Sequence, residues 1–472
     1  MYIYNLKKNF MILLLYLINI NKTNSEGFTS VLSGNSNGGK NNYYITLYIG
    51  QPKKSQTLLI DTTGSITSSP CNLHPSYNIN SNDFYIIREE HDIINCQNNT
   101  CQNYPYSSCI NKQCNFEYNY NNSTIKGVYV NQHISFLEET KSNNFPIGCT
   151  QSETNDFSTQ NADGILGLND NENSFTYLLY KNNIIQKRIF SICLNQNEGG
   201  YLSFGKIDEE YHYQRSKSKN VIISYIPYNI FENGKYSLEI NSINIEKRNN
   251  LLNNNEKQKS IIDSLSVKTH LTESIYNNLI NDFLFQCLSN KDNCNNIKKD
   301  ENFGYCSNFK SKQKIIKTIN KYWPNIIIGF NGYNHVLSPQ NYFIAYSTSN
   351  YIKACIGFEK TNHDYNILGT TFLNGYDVIF DNDNKRIGFV ESKCQFKIKK
   401  IDENINRVFD DPVNIIIVCA SVGGIIILFV ILFILYREFY NKQPKRKGYI
   451  RQVDVFNSFN SYNENKTGGS PS

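Results

Sequence analysis

Thr57-Leu58-Leu59-Ile60-Asp61-Thr62-Thr63-Gly64-Ser65 is a short apolar run that ends in a carboxylate and then in small hydroxylated residues. An apolar run that stops at an acid reads as a buried strand delivering Asp61 into a turn, with its oxygens toward a cleft. A related stretch recurs as Lys259-Ser260-Ile261-Ile262-Asp263-Ser264-Leu265-Ser266. Each is followed by an apolar pair and a glycine, Ile165-Leu166-Gly167 and Ile367-Leu368-Gly369, and acid and glycine are 106 positions apart in both copies. A strand-plus-turn unit repeated at that spacing describes a duplicated lobe in which each half contributes one carboxylate.

Outward from these stretches the chain reads mainly as strands. Tyr43 to Ile49, closed by Gly50-Gln51-Pro52, feeds the Asp61 strand, and Gly127-Val128-Tyr129-Val130 follows an Asn121-Asn122-Ser123 turn as a hairpin arm. Gly200 to Gly205, Tyr236 to Ile240 and Ile326 to Phe330 are further short strands, whereas Leu271 to Leu284, opened by Thr269 or Thr272, is one of few expected helices. The 472 residues suffice for two sizeable cores. The expectation is an all-β, bilobal chain with an N-terminal lobe at 41–215 and a C-terminal lobe at 216–396.

The ends carry different signals. Lys7 and Lys8 precede the apolar Phe10 to Ile18, a pattern expected of a secretory signal over 1–26, with 27–40 as a short extension or propeptide. Residues 415–436 are long and apolar enough to cross a bilayer as a helix. Lys442, Lys445, Arg446 and Lys447 follow that segment and Asp410 and Asp411 precede it, which orients 437–472 as a disordered cytosolic tail. Residues 397–414 become a juxtamembrane stalk. The expected location is the secretory or endolysosomal membrane system, including the cell surface, with the N-terminal portion luminal or extracellular.

Of 13 cysteines, only Cys419 lies in the membrane segment, and the other twelve suit an oxidising compartment. The six early ones, Cys71, Cys96, Cys101, Cys109, Cys114 and Cys149, permit fifteen pairings. Asn21, Asn98, Asn121 and Asn122 stand in glycosylation tripeptides on the luminal side, and Asn465 on the cytosolic side. The net charge of +6 arises mostly in the tail, and no phosphate-binding loop is present, so nucleic-acid and nucleotide functions are excluded.

Over about 41–396 the sequence resembles the pepsin-like aspartic proteases, and especially their membrane-anchored, cysteine-rich members. The matching stretches are Tyr44 to Ser65, Ala162 to Leu168, Phe190 to Leu194, and Ile367 through Phe389. The resemblance implies a substrate cleft between two β lobes, Asp61 and Asp263 as the catalytic pair, and protein or peptide substrates, with no metal or other cofactor. Two carboxylates held close share a proton; the ionised member activates water and the protonated one serves the oxyanion. Tyr120, seven residues before Gly127, fits the family's flap tyrosine, although Ser68 stands where its aromatic partner is expected. Thr62 and Ser264 retain the hydroxyls that brace the two loops, and Ser266 matches a helper hydroxyl. The resemblance also implies a Cys193–Cys394 link and a Cys306–Cys355 bridge.

Beside the acids the chain departs from the family pattern of Asp, Thr or Ser, Gly, then Ser or Thr. Thr63 and Leu265 occupy both glycine places, and Gly64 and Ser65 are displaced by one. Glycine permits close backbone approach because it has no Cβ. The substitutions are therefore expected to press the loops apart, and a displacement of ~1 Å costs ~10²-fold in rate. Two functions follow, a membrane-anchored aspartic endopeptidase and, as the alternative, a catalytically impaired protease-like protein that binds peptides or proteins through the cleft.

Overall fold

A computed structural model describes residues 27–395, apart from 37–42, 75–83, 88–91, 97–100, 138–141, 197–198, 213–221, 247–250, 253–256, 290–296 and 311. The expected signal, stalk, membrane segment and tail lie outside the described residues, as do the 215/216 junction and Asn98. Among the described residues no helix is long and apolar enough to cross a membrane.

Strands dominate, in three main sheets. The first has eight strands from the N-terminal half, ordered Tyr44–Ile49, Lys54–Asp61, Gly164–Gly167, Ser68–Pro70, Asn143–Glu153, Ser123–Ser135, Gln113–Tyr120 and Ser107–Ile110. The second has six from the C-terminal half, with Gln258–Ile262 next to Asn366–Leu368 at its centre. The third draws on both halves, running Phe28–Leu32, Gly199–Phe204, Ile189–Asn195, Tyr376–Asp381, Arg386–Glu391 and Ser224–Pro227. Phe28–Leu32, inside the stretch read as an extension or propeptide, pairs antiparallel with Gly199–Phe204 over five residues.

The repeated spacing has a direct structural cause. Lys54–Asp61 lies parallel to Gly164–Gly167 with Asp61 opposite Gly167, and Gln258–Ile262 lies parallel to Asn366–Leu368 with Ile262 opposite Leu368. Parallel neighbours need a long crossover, which the 106-residue excursion supplies in each half. The Asp61 strand is apolar on both faces because both are covered: Leu58 and Ile60 join one core cluster, and Leu59 joins another with Phe116, Tyr118 and Ile165.

The two disulfides implied by the family are present, Cys193–Cys394 and Cys306–Cys355. The early cysteines pair Cys71–Cys149, Cys96–Cys109 and Cys101–Cys114. Cys101–Cys114 ties Cys101 to the root of the strand Gln113–Tyr120, which carries the site's tyrosines, and Cys96–Cys109 ties Cys96 to the neighbouring strand Ser107–Ile110. The helix expected at Leu271 to Leu284 runs from Glu273 to Ser289.

Candidate active site

Asp61 and Asp263 each end a central strand and enter a turn, with 0 % and 5 % of their surface exposed. Their backbone mounts correspond. Asp61 Oδ1 accepts the backbone N–H groups of Thr63 at 2.8 Å and Gly64 at 3.0 Å. Asp263 Oδ1 accepts those of Leu265 at 2.9 Å and Ser266 at 3.2 Å.

Thr62 and Ser264 cross-brace the turns. The Thr62 N–H donates to Ser264 Oγ and the Ser264 N–H to Thr62 Oγ1, both at 3.0 Å. Each hydroxyl then donates to a backbone carbonyl of the opposite strand, Thr62 to Ile262 at 3.0 Å and Ser264 to Ile60 at 2.6 Å. Four buried hydrogen bonds thus tie the loops together despite Thr63 and Leu265. Thr63 adds a bond of its own, its hydroxyl donating to Asp61 Oδ1 at 2.7 Å. Leu265, 8 % exposed, packs into the cluster containing Phe116, Tyr118 and Phe157.

Tyr120 lies at the end of Gln113–Tyr120, opposite Ser123 across the Asn121-Asn122 turn. Asn121 takes the left-handed φ of 51° that such a two-residue turn requires. The Tyr120 hydroxyl donates to Asp263 Oδ2 at 2.9 Å. Ser68 is buried in its own strand beside Gly148 and Ile165. Ser266 contributes its N–H to Asp263, while its hydroxyl donates to the Lys268 carbonyl at 2.9 Å.

One residue escaped the sequence reading. Tyr118, two positions before Tyr120 and on the same strand face, donates its hydroxyl to Asp61 Oδ2 at 2.7 Å. The period-2 alternation that places both side chains on one face was the available signal. Burial and the neighbouring carboxylates push both phenols well above their ordinary range, so each remains a proton donor.

Burial also raises the proton affinity of both acids, opposed by the donors around each. Asp263 is pushed up to about 6, first by burial and second by the charge of Asp61. Two buried carboxylates that raise each other's proton affinity titrate as a unit and keep one proton over a range where free aspartate has none.

This fold and paired-acid site define a class. The sequence matches the profile described as xylanase inhibitor N-terminal over residues 43–206 and the one described as xylanase inhibitor C-terminal over 235–391. The chain belongs to the pepsin-like aspartic protease family. It is 26 % identical to plasmepsin V of Plasmodium falciparum (isolate 3D7) over 436 residues, covering 75 % of this chain and 71 % of the relative. It is 21 % identical to aspartic proteinase-like protein 1 of Arabidopsis thaliana over 397 residues, 79 % of this chain and 70 % of that one. A shorter match, 30 % over 248 residues, is to plasmepsin VII of Plasmodium berghei (strain Anka), covering 49 % of this chain and 50 % of the relative.

Proposed function

We propose that the protein is a membrane-anchored aspartic endopeptidase that hydrolyses peptide bonds of protein substrates with Asp61 and Asp263 as the reacting pair. The observation that carries this reading is the matched mounting of the two acids. Each Oδ1 is held by two backbone N–H groups, and the turns are locked by the reciprocal Thr62–Ser264 bonds.

In the mechanism the single shared proton divides the roles. The ionised carboxylate takes a proton from water as its oxygen attacks the peptide carbonyl, and the protonated one donates to the developing oxyanion. Collapse of the tetrahedral intermediate returns a proton to the leaving amine, and no covalent enzyme intermediate forms. Tyr120 acts from the flap: when the hairpin lifts, its hydroxyl leaves Asp263 Oδ2, and when substrate is bound it closes over the reacting bond and limits water entry. Anchoring through 415–436 places this chemistry on the luminal face of the secretory or endolysosomal membranes.

A second reading, a cleft that binds peptides without efficient hydrolysis, is favoured by one feature. Leu265 joins the hydrophobic cluster that holds Tyr118 and against which Tyr120 packs, an apolar patch beside the two tyrosines that bond the acids. Cleavage of a diverse peptide library at pH 5 by the full-length chain, compared with Asp61→Asn and Asp263→Asn, separates the two. The endopeptidase reading expects products from the parent and none from either variant. Intact peptides retained by the folded parent and by both variants would support the binding reading instead.

A further inference from the structure

Gly64 and Ser266 stand at equivalent places, three residues after their acids, yet one is a glycine where the family carries a hydroxyl. The reason lies on the flap strand Gln113–Tyr120, in the same eight-stranded sheet as the Asp61 strand. A Cβ built on Gly64 would lie 2.4 Å from Asp61 Oδ2, 2.9 Å from the Tyr118 hydroxyl and 3.0 Å from its Cζ. Real Cβ atoms do not approach so closely, so any side chain at position 64 would break into the bond between Tyr118 and Asp61.

Tyr118 has little room to yield. It is 4 % exposed, and its ring packs against Tyr106 at 5.0 Å and Phe157 at 6.3 Å between centroids. Leu59, Ile125 and Leu265 belong to the same cluster.

We propose that Gly64 and Tyr118 form an exchanged pair: the loop after Asp61 has given up the hydroxyl at its third position, and Tyr118 supplies one to Oδ2 from the flap strand through the space that Gly64 leaves open, while the Thr63 hydroxyl serves Oδ1. Tyr118 is then a positioning residue for Asp61, a role that rests on the endopeptidase reading above. Its hydroxyl fixes the orientation of Oδ2 and, by donating to the carboxylate, favours the ionised form against burial. Among the described residues, the titratable groups around Asp61 are Asp263, Tyr118, Tyr120 and Tyr106. None is a cation, so donated hydrogen bonds are what offset desolvation at this acid. Because Tyr118 and Tyr120 share a strand face, the same hairpin reaches both members of the dyad.

The test uses the full-length chain in detergent as parent, Tyr118→Phe, Gly64→Ser and the double variant Gly64→Ser/Tyr118→Leu. Two readouts are taken from pH 3.5 to 7: kcat/KM on a cleaved peptide, and the urea unfolding midpoint. Tyr118→Phe keeps the ring and removes one donor to a charged acceptor, so the acid limb of kcat/KM moves up by about one pH unit. Gly64→Ser loses about 10²-fold through misplacement of Asp61, and the double variant recovers at least about tenfold of that loss by making room for the added hydroxymethyl group.

An unshifted acid limb in Tyr118→Phe, or a double variant no better than Gly64→Ser, overturns the pairing. The unfolding midpoints decide the matter without any activity. Folded Asp61 in Tyr118→Phe holds its proton to higher pH, so this variant must lose stability relative to the parent as pH rises. Parallel midpoint curves refute the exchange even in an active enzyme. Diverging curves in a parent that cleaves nothing uphold the exchange and remove the hydrolase reading instead.

Discussion

Replacing Asp263 by Asn removes the proton whose retention defines the dyad, and the structure sets the size of the effect. The Asp263 carboxyl moves from 3.8 in its unperturbed state to about 6 when folded, through burial and the charge of Asp61. Between these values the folded chain binds more protons than the unfolded one, so stability falls as pH rises. Below the unperturbed value the two states bind equally and the effect is absent; above about 6 it is complete. A displacement of about two units corresponds to about 3 kcal/mol. Asn carries no such linkage, and it also removes the like charge facing Asp61, which acts in the same direction. The stability of Asp263→Asn relative to the parent is therefore expected to rise by about 3 kcal/mol between pH 4 and pH 7. Urea unfolding of the full chain in detergent measures this, followed by fluorescence of Trp323, the one tryptophan, which is 3 % exposed. Any constant offset from lost hydrogen bonds leaves the slope intact. A difference between the two proteins that does not vary with pH would refute the burial and coupling assigned to the pair.

Other outcomes follow from single contacts. Tyr120→Phe removes the donor at Asp263 Oδ2, so Asp263 keeps its proton to higher pH and the alkaline limb of kcat/KM moves up; an unmoved limb would detach Tyr120 from the dyad. Ser264→Ala leaves the buried Thr62 N–H without its acceptor and should cost about 1–3 kcal/mol by urea unfolding, whereas an unchanged midpoint would mean the cross-brace contributes nothing. Gly127→Ala would place a Cβ 1.9 Å from the Cys149 carbonyl oxygen, at the irregularity where the flap strand meets Asn143–Glu153. Faster amide exchange across 123–135 and a loss of about 1–3 kcal/mol are expected, and native protection would show that the strands can part without strain.

The all-β architecture was legible because its central strands are written twice. The 106-residue spacing is the parallel pairing of each acid-bearing strand seen from the sequence, and the apolar residues at 58–60 and 261–262 lead into acids because the strands end at the cleft. Thr62 and Ser264 were legible for the same reason, as equivalents in two copies of one turn. The helix Lys312–Tyr322 was not anticipated, although Ile315, Ile319 and Trp323 recur at four-residue spacing and are all buried. Its Lys- and Asn-rich surroundings resemble the loop insertions found elsewhere in the chain and hide that period. Tyr118 was missed for a different reason. Its partner is 57 residues away, and in a chain with 34 tyrosines the residue type carries no signal of its own. The consequence of Thr63 and Leu265 was also a matter of three dimensions. A pattern read along the chain registers two lost glycines, whereas the fold turns Thr63 into a donor to Asp61 and Leu265 into packing for the flap.

The central claim is that Asp61 and Asp263 work as one proton-sharing unit, and the most direct measurement is kcat/KM of the full-length chain on a single cleaved peptide from pH 3 to 8. The account predicts a bell whose alkaline limb falls near 6, where Asp263 gives up its proton, and the loss of all cleavage in Asp61→Asn and in Asp263→Asn. A flat profile, or cleavage that survives either substitution, would contradict it.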